Sequence, residues 1–173
     1  MSTNLSKIPV APPSDVYLRR LLRATDVHAL EALLTATGMF APHEVEVALE
    51  LVHDFLSRGE LSGYWFTVAE DDAGRVVGYT AIGPIPCTVA SYDIYWIAVQ
   101  PDCQGCGIGR RLMEEAEERI RAAGGARVFI DTSGRAQYAP TRAFYERCGY
   151  RVEATLCDFY APGDDKVVYG KVL

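Results

Sequence analysis

The stretch Val99-Gln100-Pro101-Asp102-Cys103-Gln104-Gly105-Cys106-Gly107-Ile108-Gly109-Arg110-Arg111 constrains this chain more than any other. An apolar run over 91–99 precedes it, and Ile108, Leu112, Ala116 and Ile120 follow at four-residue spacing, so it reads as a strand-to-helix connection. A helix start leaves backbone N–H groups unpaired and carries partial positive charge, which makes it a ready anion site. Glycines at 105, 107 and 109 remove the Cβ atoms that would keep a pyrophosphate away from that backbone. Arg110 and Arg111 put two cations in the first helical turn, against the helix dipole, an arrangement that an anion offsets. A Rossmann loop needs G-x-G-x-x-G directly after its strand, whereas five residues separate Val99 from Gly105 and Arg110 fills the third glycine position. A Walker loop needs Gly-Lys-Ser/Thr, which is absent. The remaining alternative, a flexible connector, leaves the paired arginines unexplained.

Periodicity orders the rest. A strand over 17–23 is followed by a helix capped at Thr25 or Asp26 and ended by Gly38, then by a helix from Pro42 to Arg58 with the stripe Val45, Ala48, Leu51, Val52, Phe55 and Leu56. A hairpin of strands 64–70 and 76–82 comes next, the second broken by Gly83-Pro84-Ile85-Pro86. Strand 91–99, helix 107–122 and strand 127–133 form a βαβ unit whose strands pair in parallel. A short helix over 140–147 and strands near 150–160 and 166–172 close the chain. The order β-α-α-β-β-β-α-β-α-β-β predicts an α/β fold, a mixed sheet with helices on both faces.

At 173 residues, with no interior linker, the sequence predicts a flexible N-terminal arm over 1–14 and one domain over 15–173. No apolar run nears the roughly 20 residues that span a bilayer, and the first residues resemble no leader, so no membrane and a cytoplasmic location are expected. The net charge of −6 argues against nucleic acid and mildly favours cationic partners. An odd count of five cysteines suggests free thiols.

Gln104-x-x-Gly107-x-Gly109, preceded by Ile97-Ala98-Val99 and followed by an amphipathic helix, resembles the acetyl-CoA signature of the GNAT superfamily of N-acetyltransferases. The order of elements is similar to that fold from Tyr17 to Leu173. Ala143-Phe144-Tyr145-Glu146-Arg147-Cys148-Gly149-Tyr150 resembles its second landmark, a short helix with Phe-Tyr before Gly-aromatic. The resemblance implies that Gln104, Gly105, Cys106, Gly107, Ile108, Gly109 and Arg110 wrap the pyrophosphate of acetyl-CoA. It implies that backbone groups of Ile97, Ala98 and Val99, at a customary bulge, pair with the pantetheine arm, and that the thioester lies where strands 91–99 and 127–133 splay. Tyr138 stands where the family often has Asn.

Amide formation needs a neutral amine, and an amine of pKa near 10.4 carries a handicap of about 4.6 kcal/mol at neutral pH. A base offsets part of it. Asp93, fourteen residues before Gly107, matches the offset of the basic glutamate in histone-acetylating members. By the strand period, Tyr95 and Ile97 share its face. Asp131, on the neighbouring strand, is the second candidate. The resemblance gives Tyr145 a double place, at the cofactor and as the acid that protonates the departing thiolate, with an N–H near Val99 serving the oxyanion. Plain alternatives are a core tyrosine beside Phe144, a partly buried Asp93 that caps or pairs with an arginine, and a strand-end hydrogen bond between Asp131 and Thr132 or Ser133.

Cys103-x-x-Cys106 lacks the further ligands of a zinc site, and no metal is expected. His28, His43 and His53 fit surface or core roles on the first two helices. Glu114, Glu115, Glu117 and Glu118 read as a solvated face paired with Arg111, Arg119 and Arg121. The loop 158–165, holding Phe159, Tyr160 and three carboxylates, is either a receiver of an ammonium group or a polar turn. The expected reaction is acetyl transfer from acetyl-CoA to a primary amine of a small molecule, with Asp93, Tyr95, Asp131 and Tyr160 at the acceptor. A similar Tyr-Ala-x-Gly-x-Asp ending in members that acetylate protein N-termini makes a protein α-amine the alternative. A non-catalytic acyl-CoA sensor is the reading of another class. The sequence leaves a homodimer open.

Overall fold

The structure, a computed structural model, describes residues 15–173. The arm expected over 1–14 lies outside the described residues. The elements are β1 (Val16–Arg19), α1 (Asp26–Thr37), α2 (Pro42–Arg58), β2 (Trp65–Asp71), β3 (Val76–Pro84), β4 (Ser91–Val99), α3 (Ile108–Ala122), β5 (Arg127–Ser133), α4 (Ala139–Arg147), β6 (Arg151–Ala161) and β7 (Asp164–Val172). They build one seven-stranded sheet in the order β1-β2-β3-β4-β5-β7-β6. Every neighbouring pair is antiparallel except β4 and β5.

Each face carries its own core. Leu30, Leu33 and Leu34 of α1 and Val45, Ala48 and Val52 of α2 bury against Phe66, Val68, Tyr79, Ala81 and Ala98. On the opposite face, Met113, Ala116 and Ile120 of α3 and Tyr145 of α4 meet Ile82, Ile94, Val128, Ile130, Val167 and Tyr169. Ile108 and Leu112 close the first turns of α3 over Ala69 and Val77. Gly78 permits that approach, since a Cβ there would lie 3.0 Å from the Ala98 carbonyl and 3.1 Å from Leu112.

Three boundaries differ from the sequence expectation. Strand β1 stops at Arg19 instead of reaching 23, because Asp26 takes the Arg23 N–H at 2.7 Å and returns its own N–H to the Arg23 carbonyl at 2.9 Å, a turn over 23–26 that leads into α1. Strand β3 passes through Gly83 and ends at Pro84, opposite Tyr92, a ladder end where a missing N–H is tolerated. Most of the loop expected over 158–165 is strand, since Ala161 pairs with Asp164 around the turn Pro162-Gly163. The register skips from Leu156↔Lys166 to Ala161↔Asp164, so 157–160 bulge out of the ladder. No helix of the described residues is long and apolar enough to cross a membrane.

Candidate functional site

After β4 the chain makes a single 3-10 turn, Pro101–Cys103, and then turns through Gly105 and Gly107 into α3. Both glycines hold φ near +80° (78° and 83°), which an L side chain adopts only at a cost of about 1–2 kcal/mol. Nothing lies within 4 Å of the position a Cβ would take on either. The loop is open, and Gln104 to Gly107 are exposed. The Arg111 N–H donates to the Gly107 carbonyl at 3.1 Å. The N–H groups of Ile108, Gly109 and Arg110 precede that bond in the helix's opening turn, where intrahelical acceptors are lacking. No acidic side chain occupies the turn. Gln104 donates its side-chain amide to the Val99 carbonyl at 3.1 Å and so ties the loop to the end of β4.

Gly109 also has a packing role. A Cβ there would sit 3.2 Å from the Phe144 ring, so the missing side chain lets α4 pack on α3. The cations are also differently engaged. Arg110 pairs with Glu114 at 2.8 Å and Arg111 donates to the Val16 carbonyl at 2.8 Å. Along α3, Arg110, Glu114, Glu117, Arg121 and, opposite, Arg147, Cys148 and Lys171 line a groove of about 270 Å³ that holds four cations against two carboxylates.

Strands β4 and β5 pair over only three rungs, ending at Asp93↔Phe129. Beyond that rung they part, and no strand among the described residues takes up the backbone of β4 on its β5 side. Its other side remains paired, with Ile97, Ala98 and Val99 opposite Thr80, Tyr79 and Gly78. The expected bulge is real but lies earlier than 97–99. Ile94 pairs with Ile82 and Trp96 with Ala81, which leaves Tyr95 as the extra residue. A bulge shifts the alternation by one residue. Trp96 therefore packs with the α1/α2 core and Ile97 with the α3 side, so Ile97 does not share the Asp93 face.

Ile94 points to the α3/α4 core, so Asp93, its neighbour, faces the α1/α2 side. Burial, then the Asp131 carboxylate, pushes the Asp93 carboxyl up to about 6, and Lys166 pulls it back. Burial and Asp93 raise the Tyr95 phenol, whose ring meets Tyr64 edge-on at 5.4 Å. Burial and Asp131 push Tyr160 up to about 12. Asp93, Tyr95, Asp131 and Tyr160 thus share one electrostatic neighbourhood, although Tyr160 comes from the far hairpin.

Tyr145 lies on the other side of the sheet, buried among Phe144, Tyr150 and Tyr169. Burial, then Cys148, raises its phenol above the ordinary range. Tyr138, at the position of the customary Asn, donates its hydroxyl to the Met39 carbonyl at 2.7 Å and so ties the α4 approach to the α1–α2 connection.

Cys103 is a buried core residue, with Arg75 Nη2 3.3 Å from its sulfur. All five cysteines are free. No group of three or more His, Cys, Asp or Glu among the described residues is arranged to hold a metal. Glu117 is not on a solvated face. It is buried, accepts from Lys171 at 2.8 Å and pairs with Arg121 at 3.3 Å. Arg119 leaves the helix surface to donate to the Phe66 carbonyl at 2.7 Å.

Sequence reasoning missed Lys166 and Phe144. Lys166 follows from the β5–β7 register, which places it opposite Ser133, two residues from Asp131. The Phe144 contact was encoded only as a glycine in one motif and an aromatic in another.

An open, glycine-turned helix start beside a forked pair of parallel strands defines a class of acyl-transferring fold. Residues 62–152 match the family model described as acetyltransferase (GNAT) domain, and the chain belongs to that family of acyltransferase enzymes. A crystal structure from Desulfovibrio desulfuricans assigned to the GNAT family of acetyltransferases is 44% identical, with TM-score 0.88 over 91% of this chain and 99% of that one. A mycothiol acetyltransferase from Saccharomonospora viridis is 24% identical over 149 residues, 83% of this chain, and the chain spans 48% of that relative's length. The Thermoplasma acidophilum PaiA N-acetyltransferase in complex with coenzyme A shares the fold at 17% identity, with TM-score 0.70 over 92% of this chain and 99% of that one.

Proposed function

We propose that residues 15–173 act as one acetyl-CoA-dependent N-acetyltransferase domain that acetylates a primary amine of a small molecule. The observation that carries this is the open loop Gln104–Gly107 leading into α3, with unpaired N–H groups beside the gap between β4 and β5. The coenzyme A complex of the PaiA relative supports the choice of donor.

The loop residues Gln104 to Gly107 and the N–H groups of Ile108, Gly109 and Arg110 would hold the pyrophosphate, and the cation-rich groove along α3 suits a further phosphate. Backbone groups of Ile97 to Val99 on the unpaired edge of β4 would hold the amide-bearing arm. Acetyl-CoA, when bound, supplies an activated thioester carbonyl. Asp93, on the acceptor side of the sheet, accepts the ammonium proton directly or through water, and Tyr145, on the α4 side, gives its hydroxyl proton to sulfur. A backbone N–H of β4 near Val99 would stabilise the oxyanion. Acid and base act from opposite faces through the one opening between the strands. Tyr95 and Tyr160, with Asp131, frame an acidic, aromatic approach suited to an amine.

The free cysteines fit a reducing cytoplasm. A protein α-amine is the second reading. It is favoured by the turn between Tyr160 and Asp164, which carries the ending similar to that of such members and whose Tyr160 feels the Asp131 carboxylate.

The test combines two measurements. Coenzyme A should raise the melting temperature, and a panel of amines and short peptides should accelerate thiol release from acetyl-CoA. Stabilisation without release by any acceptor favours a sensor, and neither effect removes the reading.

A further inference from the structure

The acceptor side of the sheet already contains an ammonium group. Lys166 of β7 contacts the Asp131 carboxylate and lies over the Phe159 ring, 4.8 Å from its centroid. Its side chain is largely covered, 20% exposed, whereas Asp131 is 39% exposed. A carboxylate with an aromatic face is the environment that a cationic amine selects. Asp93, one strand further, feels the same ammonium. Neighbours in the ladders are Ser133 of β5 and Leu156 of β6, neither charged. Lys166 therefore occupies the place where an acceptor's ammonium belongs, on a flexible stem attached beside the fork.

We propose that Lys166 is an acetylation site of the enzyme itself, modified intramolecularly when no external amine is present. The proposal rests on the acetyl-CoA reading above. The Lys166 ammonium passes one proton to the Asp93 carboxylate. Transfer then forms the bond from Nζ to the acetyl carbon and breaks the thioester carbon–sulfur bond, whose electron pair leaves on sulfur. The second amine proton passes to solvent, and the Tyr145 hydroxyl protonates the thiolate and is reprotonated from water. Acetylation removes the Lys166 cation from Asp131 and leaves the acceptor approach more acidic, so the modified enzyme discriminates more strongly for cationic amines.

The chain makes the test clean, because its only lysines are Lys7, Lys166 and Lys171. Lys171 is held on the other face by Glu117 and the Cys148 carbonyl, each at 2.8 Å. The full chain is incubated with acetyl-CoA and no amine, then weighed intact and mapped by peptide. One acetyl group on Lys166 is expected, at a rate independent of protein concentration, absent in Lys166→Arg and slowed about 10²-fold in Asp93→Asn. Equal labelling in urea-unfolded chain or in Asp93→Asn would be adventitious chemistry and overturns the proposal. An unmodified Lys166 alongside amine-dependent thiol release overturns it while the proposed function stands. If coenzyme A does not bind, both fall. A second readout needs no cofactor. After reductive ¹³C-methylation, the Lys166 signal should move in both Asp131→Asn and Asp93→Asn. A signal that ignores Asp93→Asn places the lysine away from the base and overturns the proposal.

Discussion

The ring of Phe144 rests on Gly109, so close that a Cβ at 109 would lie 3.2 Å from its Cζ. The glycine loop and the Phe-Tyr helix, 35 residues apart by the difference of those two numbers, are one physical unit. Gly109→Ala gains helix propensity of about 1 kcal/mol but forces the ring away, at a cost of roughly 1–3 kcal/mol. A small net loss of stability is expected, with coenzyme A affinity retained. Turnover should fall more than affinity because the displaced ring neighbours Tyr145. Calorimetric binding and steady-state kinetics on the same variant separate these effects, and a loss of affinity alone would return Gly109 to the ligand.

Gly107 behaves differently. Its φ of +83° disfavours a β-branched residue, and its Cβ direction is open. Gly107→Val should lower Tm by only a few degrees, the equivalent of about 1–2 kcal/mol in a domain of this size. Coenzyme A binding should be lost by titration calorimetry. Retained affinity would contradict the assignment of the loop.

These two glycines show where the sequence is legible and where it stops. Element order, the parallel β4–β5 pair and the start of α3 follow from local patterns, because helix and strand periods and glycine stops are local. Residue-by-residue facing along β4 does not follow, since the bulge at Tyr95 depends on the length matching of β3 against β4 and reverses every later side chain. Glu117 was unreadable for a similar reason. Its partner, Lys171, lies 54 residues away, and only the antiparallel return of β7 brings it under α3.

That pair supplies the third prediction. Glu117 is 6% exposed and Lys171 24%, so removal of one partner strands a buried charge. Lys171→Met should cost about 3 kcal/mol by urea unfolding, softened where Arg121 compensates. Glu117→Leu with Lys171→Met together should recover most of that loss. If the single variant unfolds at the wild-type midpoint, Arg121 alone satisfies the carboxylate.

Tyr145 should contribute to chemistry without governing the pH profile. Burial holds its phenol above the ordinary value, so it stays protonated at any working pH. Tyr145→Phe should lower kcat about 10²-fold with near-normal coenzyme A affinity and an unshifted pH limb. Unchanged turnover would assign the residue to packing alone.

With Asp93 as the proposed base, the limb should follow its carboxyl, which must be ionised to accept a proton. Its carboxyl is pushed up to about 6 by burial and then by Asp131, while Lys166 opposes the shift. kcat/KM should therefore rise with pH through about 6. The limb should move higher in Lys166→Met, which removes a cation, and lower in Asp131→Asn, which removes a like charge. The sign for stability is the reverse of the usual carboxylate. A raised folded pKa means that the folded chain binds this proton more tightly, so its contribution is full below the ordinary value near 4 and is lost as pH rises through about 6. Asp93→Asn should accordingly be more stable than wild type at neutral pH and show no such advantage in acid, while turning over about 10²-fold more slowly. Melting curves and rates of the three variants across pH decide the matter, and a limb that ignores both Lys166 and Asp131 removes Asp93 as the base.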